Sequence, residues 1–454
     1  MTEEIGNRLT QVGRLQVKAR TLVAAQWRRT PDAFETARRL NVAWFVSGNV
    51  RHAGAQLLVN VELVRATTGE EVWASRFPRP AADVFAVQAE VAESVAAVVG
   101  GRLSPGERAT LTRRPTRNNE AYRLYVLGNA LVKRRTPEDV RRAIDAYTKA
   151  VDLDPGFAAA WAALSYARVT YYSWNWDSPI PHDSLLILAR LAASRALVLD
   201  SSSANPWMAD AAASIWEGDF GRAHASCGRA LRLDSLSTDT YHVCGILYDA
   251  QNGLADGAAA EPLFRRAIAL DPDLRNTWRK LAWTLRAEGR LPESESLLDT
   301  ALAIAPWGPA FADRGYVRFV RGNGPGALAD LAEWERLNGI KDSVRHALYT
   351  IALGDSTSAR AVLVQLRATA DSDPREESSV AQFSVALGMR AEALGALERF
   401  RAVVDPQEPK CTATTTCSVS LGTWQLLHDP IFLPLRAEPR FVRLLEETRP
   451  RVPW

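Results

Sequence analysis

Little in these 454 residues is suited to covalent or metal chemistry: there are four cysteines, three methionines and six histidines. The histidines (His52, His182, His224, His242, His346, His428) are scattered. None sits in an HExxH pair or a paired Cys/His spacing, so no metal centre is expected. No GxxxxGK[ST] occurs, and "GNGPG" at 322–326 lacks the lysine and the preceding strand that phosphate binding requires, so it reads as a turn. A GxSxG elbow, a catalytic-loop HRD and a DFG are also missing. The expectation is a chain without catalytic residues or a cofactor. Apolar runs never approach the length of a membrane span. Lys+Arg exceed Asp+Glu by only 55 − 52 = 3, too little to imply a polyanionic partner overall. The opening "MTEEIGNRLTQVGR" carries charges where a signal peptide needs apolar residues, and the chain as given is expected in the cytoplasm. Cys227 and Cys244 fall inside helical runs, where a small buried hydrophobe is the expected role. Cys411 and Cys417 flank a short Thr-rich segment that a disulfide closes only in an oxidising compartment; free thiols are the simpler expectation.

What the chain does have is a repeat. Ala150, Ala196, Ala230, Ala267 and Ala301 recur at spacings of 46, 34, 37 and 34 residues. Five residues after each stand Pro155, Ser201, Ser235, Pro272 and Pro306, and six further on stand Trp161, Trp207, Tyr241, Trp278 and Ala312. A period of 34 with these landmarks is the tetratricopeptide signature of a helix–turn–helix unit. Proline suits the first turn of a helix but not its interior, so each one ends a unit and starts the next. Small residues such as Ala143, Ala223 and Ala260 let the second helix pack closely, and stacked units bury a continuous apolar seam. Looser helical periodicity before and after these units gives about eight hairpins over 113–405, followed by a capping segment at 406–454.

Residues 1–112 carry no such repeat. "GRLQVKART" alternates like a strand, and "TPDAFETARRLN" reads as a helix with Thr30 as N-cap and Pro31 at its first position. Three β-rich runs follow, separated by "HAGAQ" and "TTGE", and then an amphipathic helix ends at Gly100 and Gly101. The expected fold is an α+β N-terminal domain followed by an all-α, right-handed superhelical solenoid. The stretch "LNVAWFVSGNVRHAGAQLLVNVELVRATTGEEVWASRFPRPAADVFAVQAEVAESV" resembles the TolB-like N-terminal domain, which is related to the FlgO family. That resemblance covers about residues 1–105. It implies a bacterial signalling protein in which the repeats follow a sensory domain, with a protein kinase, a nucleotide cyclase or a winged-helix domain upstream. It further implies a hydrophobic first strand before "MTEEIGNRL", and it brings no catalytic residues.

Three features carry candidate binding roles. The junction at 102–142 holds eleven Lys/Arg against four acids, a composition that suits either contact with nucleic acid or, as the simpler reading, a solvated helix face. A twelve-residue excess over the period centres on 169–184, where Tyr171, Tyr172, Trp174 and Trp176 crowd one segment, either as a partner-binding hot spot or as a packed plug. The resemblance to tetratricopeptide units places the first helix of each pair on the inner face. Carried onto this chain, its offsets pick Tyr166, Asn205, Met208, Trp216, His242, Asn276, Arg279, Trp283, Arg286 and Asp313. On one helix, Arg279 and Arg286 lie about two turns apart with Trp283 between them, an arrangement suited to a carboxylate-bearing peptide. An interaction protein with a peptide or protein partner in this groove is the expected function; a DNA-linked regulator contacting nucleic acid through 102–142 is the alternative, and an enzyme with an unrecognised site is a third class.

Overall fold

The computed structural model describes the chain except residues 1–4, 7, 10, 11, 13, 14, 19, 54, 55, 81–83, 113, 179, 405–421 and 450–454. Cys411 and Cys417 lie outside the described residues. The chain divides into two compact units: Met1–Asp210 with Gly228–Thr238 and Ala269–Asp273, and Ala211–Cys227 with Asp239–Ile268 and Leu274–Trp454.

The first unit opens with helices α1 (Arg20–Arg29) and α2 (Ala33–Arg39) before a meander of β1 (Trp44–Ala53), β2 (Gln56–Arg65) and β3 (Glu71–Pro80), antiparallel in the order β1-β2-β3. Of the run expected as a strand, the described stretch is not one. Leu15–Lys18 belongs to no ladder, and helix α1 begins directly after it. Alternation alone does not make a strand without a partner to pair with. The helix start also moves: Asp32, not Thr30, is the N-cap of α2, its carboxylate accepting from Glu35 N at 2.6 Å. Helix α3 (Val84–Gly100) lays Val87, Val91 and Val95 on Val59, Val61, Leu63 and Phe77 of the sheet. Gly101 ends it in the left-handed region at φ +78°, as its residue type suggests. Helix α4 (Pro105–Thr112) closes this core with Leu111.

Among the described residues sixteen further helices follow in consecutive pairs: α5 (Asn119–Val132) and α6 (Pro137–Leu153), α7 (Ala158–Ser173) and α8 (His182–Leu199), α9 (Ala204–Glu217) and α10 (Phe220–Leu233), α11 (Thr238–Tyr248) and α12 (Gly257–Leu270). The series continues with α13 (Arg275–Ala287) and α14 (Leu291–Ile304), α15 (Gly308–Val320) and α16 (Gly324–Asn338), α17 (Ser343–Thr350) and α18 (Thr357–Ala370), α19 (Glu377–Ala386) and α20 (Arg390–Val404). Towards the C-terminus come α21 (Gly422–Leu427), a 3-10 turn (Pro430–Leu435) and α22 (Pro439–Thr448). The fold class is therefore α+β followed by an all-α helical-repeat solenoid of the tetratricopeptide kind.

The landmark residues have specific contacts. The indole Nε1 of Trp161 donates to Pro155 O at 3.1 Å, and that of Trp207 donates to Ser201 O at 2.8 Å. A tryptophan six residues past the loop thus ties the first helix back to the loop that precedes it. Small positions do the rest. A Cβ on Gly128 would meet the Tyr147 ring at 2.4 Å, and one on Gly245 would meet the Phe264 ring at 2.4 Å, so each first helix leaves a notch for an aromatic on its second. One landmark shifts. Phe157, Leu274 and Trp307 are N-caps, and the residues four on are Trp161, Trp278 and Phe311. Phe311, rather than Ala312, holds the aromatic place in α15.

The cysteines of the repeat also differ from expectation. Cys227 on α10 and Cys244 on α11 are joined in a disulfide with Cα atoms 5.6 Å apart. Both remain buried, as a small hydrophobe would be. Two consecutive pairs bring them within bonding reach, which a helical reading of each alone does not reveal. Among the described residues no helix is long and apolar enough to cross a membrane.

Two outcomes follow from this packing. Trp207→Phe should lower stability by roughly 1 kcal/mol, the net worth of one hydrogen bond, in a denaturant titration followed by circular dichroism. Reducing the Cys227–Cys244 bond closes no new contact but frees a loop of 17 residues, so reductant should destabilise the second unit by about 3 kcal/mol. A melt unchanged by reductant would show that the bond is not formed in solution.

Candidate functional site

Helix α13 carries four of the expected groove residues, and the fold has already used them. It starts at the uncapped Leu274 and buries nearly everything after Arg275, including Asn276, Thr277, Lys280 and Trp283. The Arg279 guanidinium bonds the Asp313 carboxylate, and Arg286 Nη1 lies 3.6 Å from the other oxygen of Asp313. Asp313 comes from α15, one pair further on. Trp283 is only 5% exposed and is ringed by three cations: Arg279 Cζ at 3.9 Å, Lys280 Nζ at 4.3 Å and Arg286 Cζ at 5.6 Å from its ring centre. Each such contact stabilises by about 0.5–2 kcal/mol, more when water is excluded.

Behind Trp283 lies a fully buried ion pair. Lys280 Nζ donates to Asp249 Oδ2 at 2.7 Å and also to the Asn252 side-chain oxygen. Burial pushes the Lys280 ammonium pKa below its ordinary value, and the attraction of Asp249 opposes that shift. Burial likewise lowers Arg279, against the pull of Asp313. Asp249 also shapes the loop leaving α11, because its other oxygen accepts from Gln251 N at 3.0 Å and from Asn252 N. His242 is enclosed, with Asn276 Nδ2 at 3.3 Å and Thr277 Oγ1 at 3.0 Å from its two ring nitrogens. Three cations thus share two carboxylates in this cluster, and the described protein atoms give no hydrogen-bond partner to Asn276 Oδ1 or Trp283 Nε1.

The chain's own C-terminal segment covers the same side. Tyr316 of α15 bonds Asp429, and the Arg286 guanidinium sits 5.3 Å over the Tyr316 ring. Burial, with the adjacent Asp429 charge, raises the Tyr316 phenol well above its ordinary pKa. Trp424 Nε1 donates to Leu254 O at 2.8 Å and Arg436 Nη2 to Ala287 O at 2.6 Å. One short segment therefore touches the exits of α11 and α13 and the middle of α15. Its Leu427, Phe432, Leu435 and Phe441 are completely buried in the core of the last helices. The expected two-arginine fork is occupied from within, by Asp313.

The remaining expected residues are placed differently. In the first unit, Tyr166 on α7 is half-buried and Asn205 on α9 is exposed, whereas Met208 is buried. In the second unit, Trp216 is half-buried. The aromatic insertion packs. The Tyr171 hydroxyl donates to Asp177 O at 2.5 Å, and its ring meets Trp176 edge-on at 5.4 Å. Trp174 stacks on Trp176 at 5.7 Å, and Tyr172 lies against His182 at 4.2 Å. Tyr171, Tyr172 and Trp176 form a small core with Val140 and Leu185, and none of the four aromatics is exposed. The basic junction is interrupted by acids: Arg108 pairs with Glu93, Arg123 with Glu120, and Arg134 and Arg142 with Asp139. A shallow cavity of about 570 Å³ at the start of α5 is lined by Arg117, Asn118, Asn119 and Asp154. Asn118 and Asp154 there already act as caps, accepting from Ala121 N and Gly156 N. Among the described residues, no group of His, Cys, Asp and Glu is arranged to hold a metal ion.

The Lys280–Asp249 pair predicts its own sensitivity. Removing one member leaves the other charge buried, which typically costs 3–5 kcal/mol. Asp249→Ala also removes the loop cap, so it should be at least that severe. Lys280→Met, which leaves Asp249 bonded to two backbone amides, should cost less. Equal losses from the two in thermal denaturation would contradict the double role of Asp249.

No family model matches the chain. It is 32% identical over 181 residues to "Putative adenylate cyclase 3" of Rhizobium meliloti (strain 1021), a match covering 40% of this chain and 31% of that protein. The chain thus spans under a third of the curated relative it matches. Among solved structures it is similar to pilF of Pseudomonas aeruginosa, at 16% identity and a TM-score of 0.38, covering 51% of this chain and 97% of that one. It is also similar to YrrB, described as a TPR protein with an unusual peptide-binding site, at 20% identity and a TM-score of 0.30 (43% and 94% covered). The human IFIT1 dimer with PPP-AAAA aligns at 13% identity and a TM-score of 0.42, over 70% of this chain and 78% of that one.

Proposed function

We propose that the chain is a non-catalytic interaction module, the sensory or scaffolding part of a bacterial signalling protein, which holds a protein or peptide partner on the first helices of its repeats. The observation that carries this reading is the contrast between inner positions that the fold consumes and those it leaves open. On α13 the candidate residues are spent on internal ion pairs, and the C-terminal segment lies over them. On α9 the equivalent position holds Asn205, an exposed polar residue for which the apolar seam has no need. We therefore place the partner at the earlier pairs. An exposed amide suits an extended peptide, since it can both donate to and accept from the peptide backbone.

The signalling role draws support from the partial match to a protein described as an adenylate cyclase. In our reading this chain corresponds to a non-catalytic portion of such a protein, with cyclase chemistry left to the remainder. The DNA-linked alternative has less support, because Arg108, Arg123, Arg134 and Arg142 are paired with carboxylates that break up the positive surface.

Tyr166→Ala combined with Asn205→Ala tests the site. The double variant should keep the helical circular dichroism of the parent while capturing several-fold less of its partner, as identified by cross-linking from a bacterial lysate and mass spectrometry. Undiminished capture would remove α7 and α9 from the binding surface. The purified chain should form no cyclic AMP from Mg-ATP, and turnover would refute the non-catalytic reading.

A further inference from the structure

Helix α8 has a second apolar face that the packing of its own pair does not use. Its inner face is spent on Leu185, Ala189, Ala192, Ala193 and Ala196, all buried. On the side turned away from these, Ile187 is 60% exposed, Leu191 61% and Val198 78%. A helix that is apolar all round is normally enclosed on every side. Helix α6 occupies the same place in the preceding pair, and its Ala150 corresponds to Ala196 of α8. At the positions of Ile187, Leu191, Arg195 and Val198, α6 has Arg141, Asp145, Lys149 and Asp152, all of them exposed. The repeat gives this face to water in α6, whereas in α8 three of the four positions are hydrophobic.

Charges frame this stripe. Asp183, Ile187, Leu191 and Arg195 stand four residues apart, so they form one ridge of the helix, about 18 Å long, and all four are exposed. Arg190, the other arginine of α8, pairs with Asp210 of α9 at 2.7 Å. Asp183 and Arg195 make no ion pair among the described residues. The ridge therefore reads acid, apolar, apolar, base, and its midpoint is level with Ala189.

We propose that α8 is an association helix that packs antiparallel on α8 of a second copy of this chain, about a two-fold axis level with Ala189. Ile187 then lies against Leu191 of the second copy and Asp183 against its Arg195, and the two-fold repeats both contacts. Val198 reaches the level at which the second copy's chain enters its α8, at Ile180 and Pro181. The charges choose this arrangement. A parallel pair sets Asp183 level with Asp183 and Arg195 level with Arg195, and an antiparallel pair slipped by one turn sets Arg195 against Ile187. An isologous contact requires complementary residues at equal distances from the axis, and this ridge supplies them at both steps. A partner of one charge sign would match one end of the ridge and be repelled by the other. Few apolar side chains and two exposed ion pairs make a small interface, so the dimer is a weak one. The stripe lies on the second helix of its pair, whereas the partner site proposed above lies on first helices, and neither reading depends on the other.

The full chain tests the pairing. Sedimentation equilibrium should show the mass rising from 49.9 kDa towards twice that value at concentrations on the order of 10–100 µM, as befits a small interface. Ile187→Lys with Leu191→Lys changes two exposed positions, so it should keep the circular dichroism spectrum of the parent and stay monomeric. Asp183→Arg alone, or Arg195→Asp alone, sets like charges together across the axis and should weaken association several-fold. Asp183→Arg with Arg195→Asp exchanges the two ends and should restore the association of the parent. A parent chain that stays monomeric throughout that range overturns the proposal, as does a double-lysine variant that still dimerises. Single charge variants that associate like the parent, or an exchanged variant as weak as the single ones, overturn the antiparallel pairing of Asp183 with Arg195.

Discussion

Two helices approach closely only where one of them presents almost no side chain, and the repeats depend on that fact. Gly128 and Gly245 are the clearest cases: each lets an aromatic from the second helix, Tyr147 or Phe264, rest against bare backbone. The pair formed this way has a small core of its own and still exposes apolar surface at both ends. Stacking follows from that deficit, because only a neighbouring pair can cover the rest. Loops are held to the stack by the tryptophan hydrogen bonds at Trp161 and Trp207, so the direction in which each unit enters is set by one side chain.

Onto this apolar scheme the second unit adds a polar one. Lys280 and Asp249 are enclosed together, Arg279 and Arg286 share Asp313, and Trp283 provides an electron-rich face to all three cations. Burying so many charges is worthwhile only if each has a partner, and here the partners come from consecutive pairs. The cluster therefore acts as a register check between α11, α13 and α15. A slip of one residue in any of them would strand a charge. The C-terminal segment extends this dependence, since Tyr316, Ala287 and Leu254 are bonded by residues more than a hundred positions away.

Whatever repeats or alternates locally is legible in the sequence. The hairpin strands, the α3 helix ending at Gly101 and the helix pairs all follow from spacing that survives without knowledge of the fold. The departures share one cause, which is that each needs a contact between distant residues. "GRLQVKART" alternates, yet its described stretch Leu15–Lys18 pairs with no strand among the described residues. Cys227 and Cys244 look like separate buried residues until two pairs are stacked. The fork of Arg279 and Arg286 is legible as a shared face, but Asp313 on the next pair, which fills it, is not. Counting from Pro306 lands on Ala312 because a fixed count cannot sense where α15 starts; its N-cap at Trp307 brings Phe311 into the aromatic position. The enclosure of the aromatic insertion likewise depends on Val140 and Leu185, which flank it from two other helices.

The bond between Cys227 and Cys244 has a mechanical meaning as well as a thermodynamic one. A repeat array pulled at its ends, or threaded into a degradation machine, unravels pair by pair from the end that is held. Each pair released lengthens the chain by its full contour. Here the 17 residues from one cysteine to the other cannot lengthen while the bond lasts, and α10 stays fastened to α11 after their hydrogen bonds have gone. Unravelling that reaches this point must pause or pass a closed loop, so the bond divides the array into two stretches that yield separately.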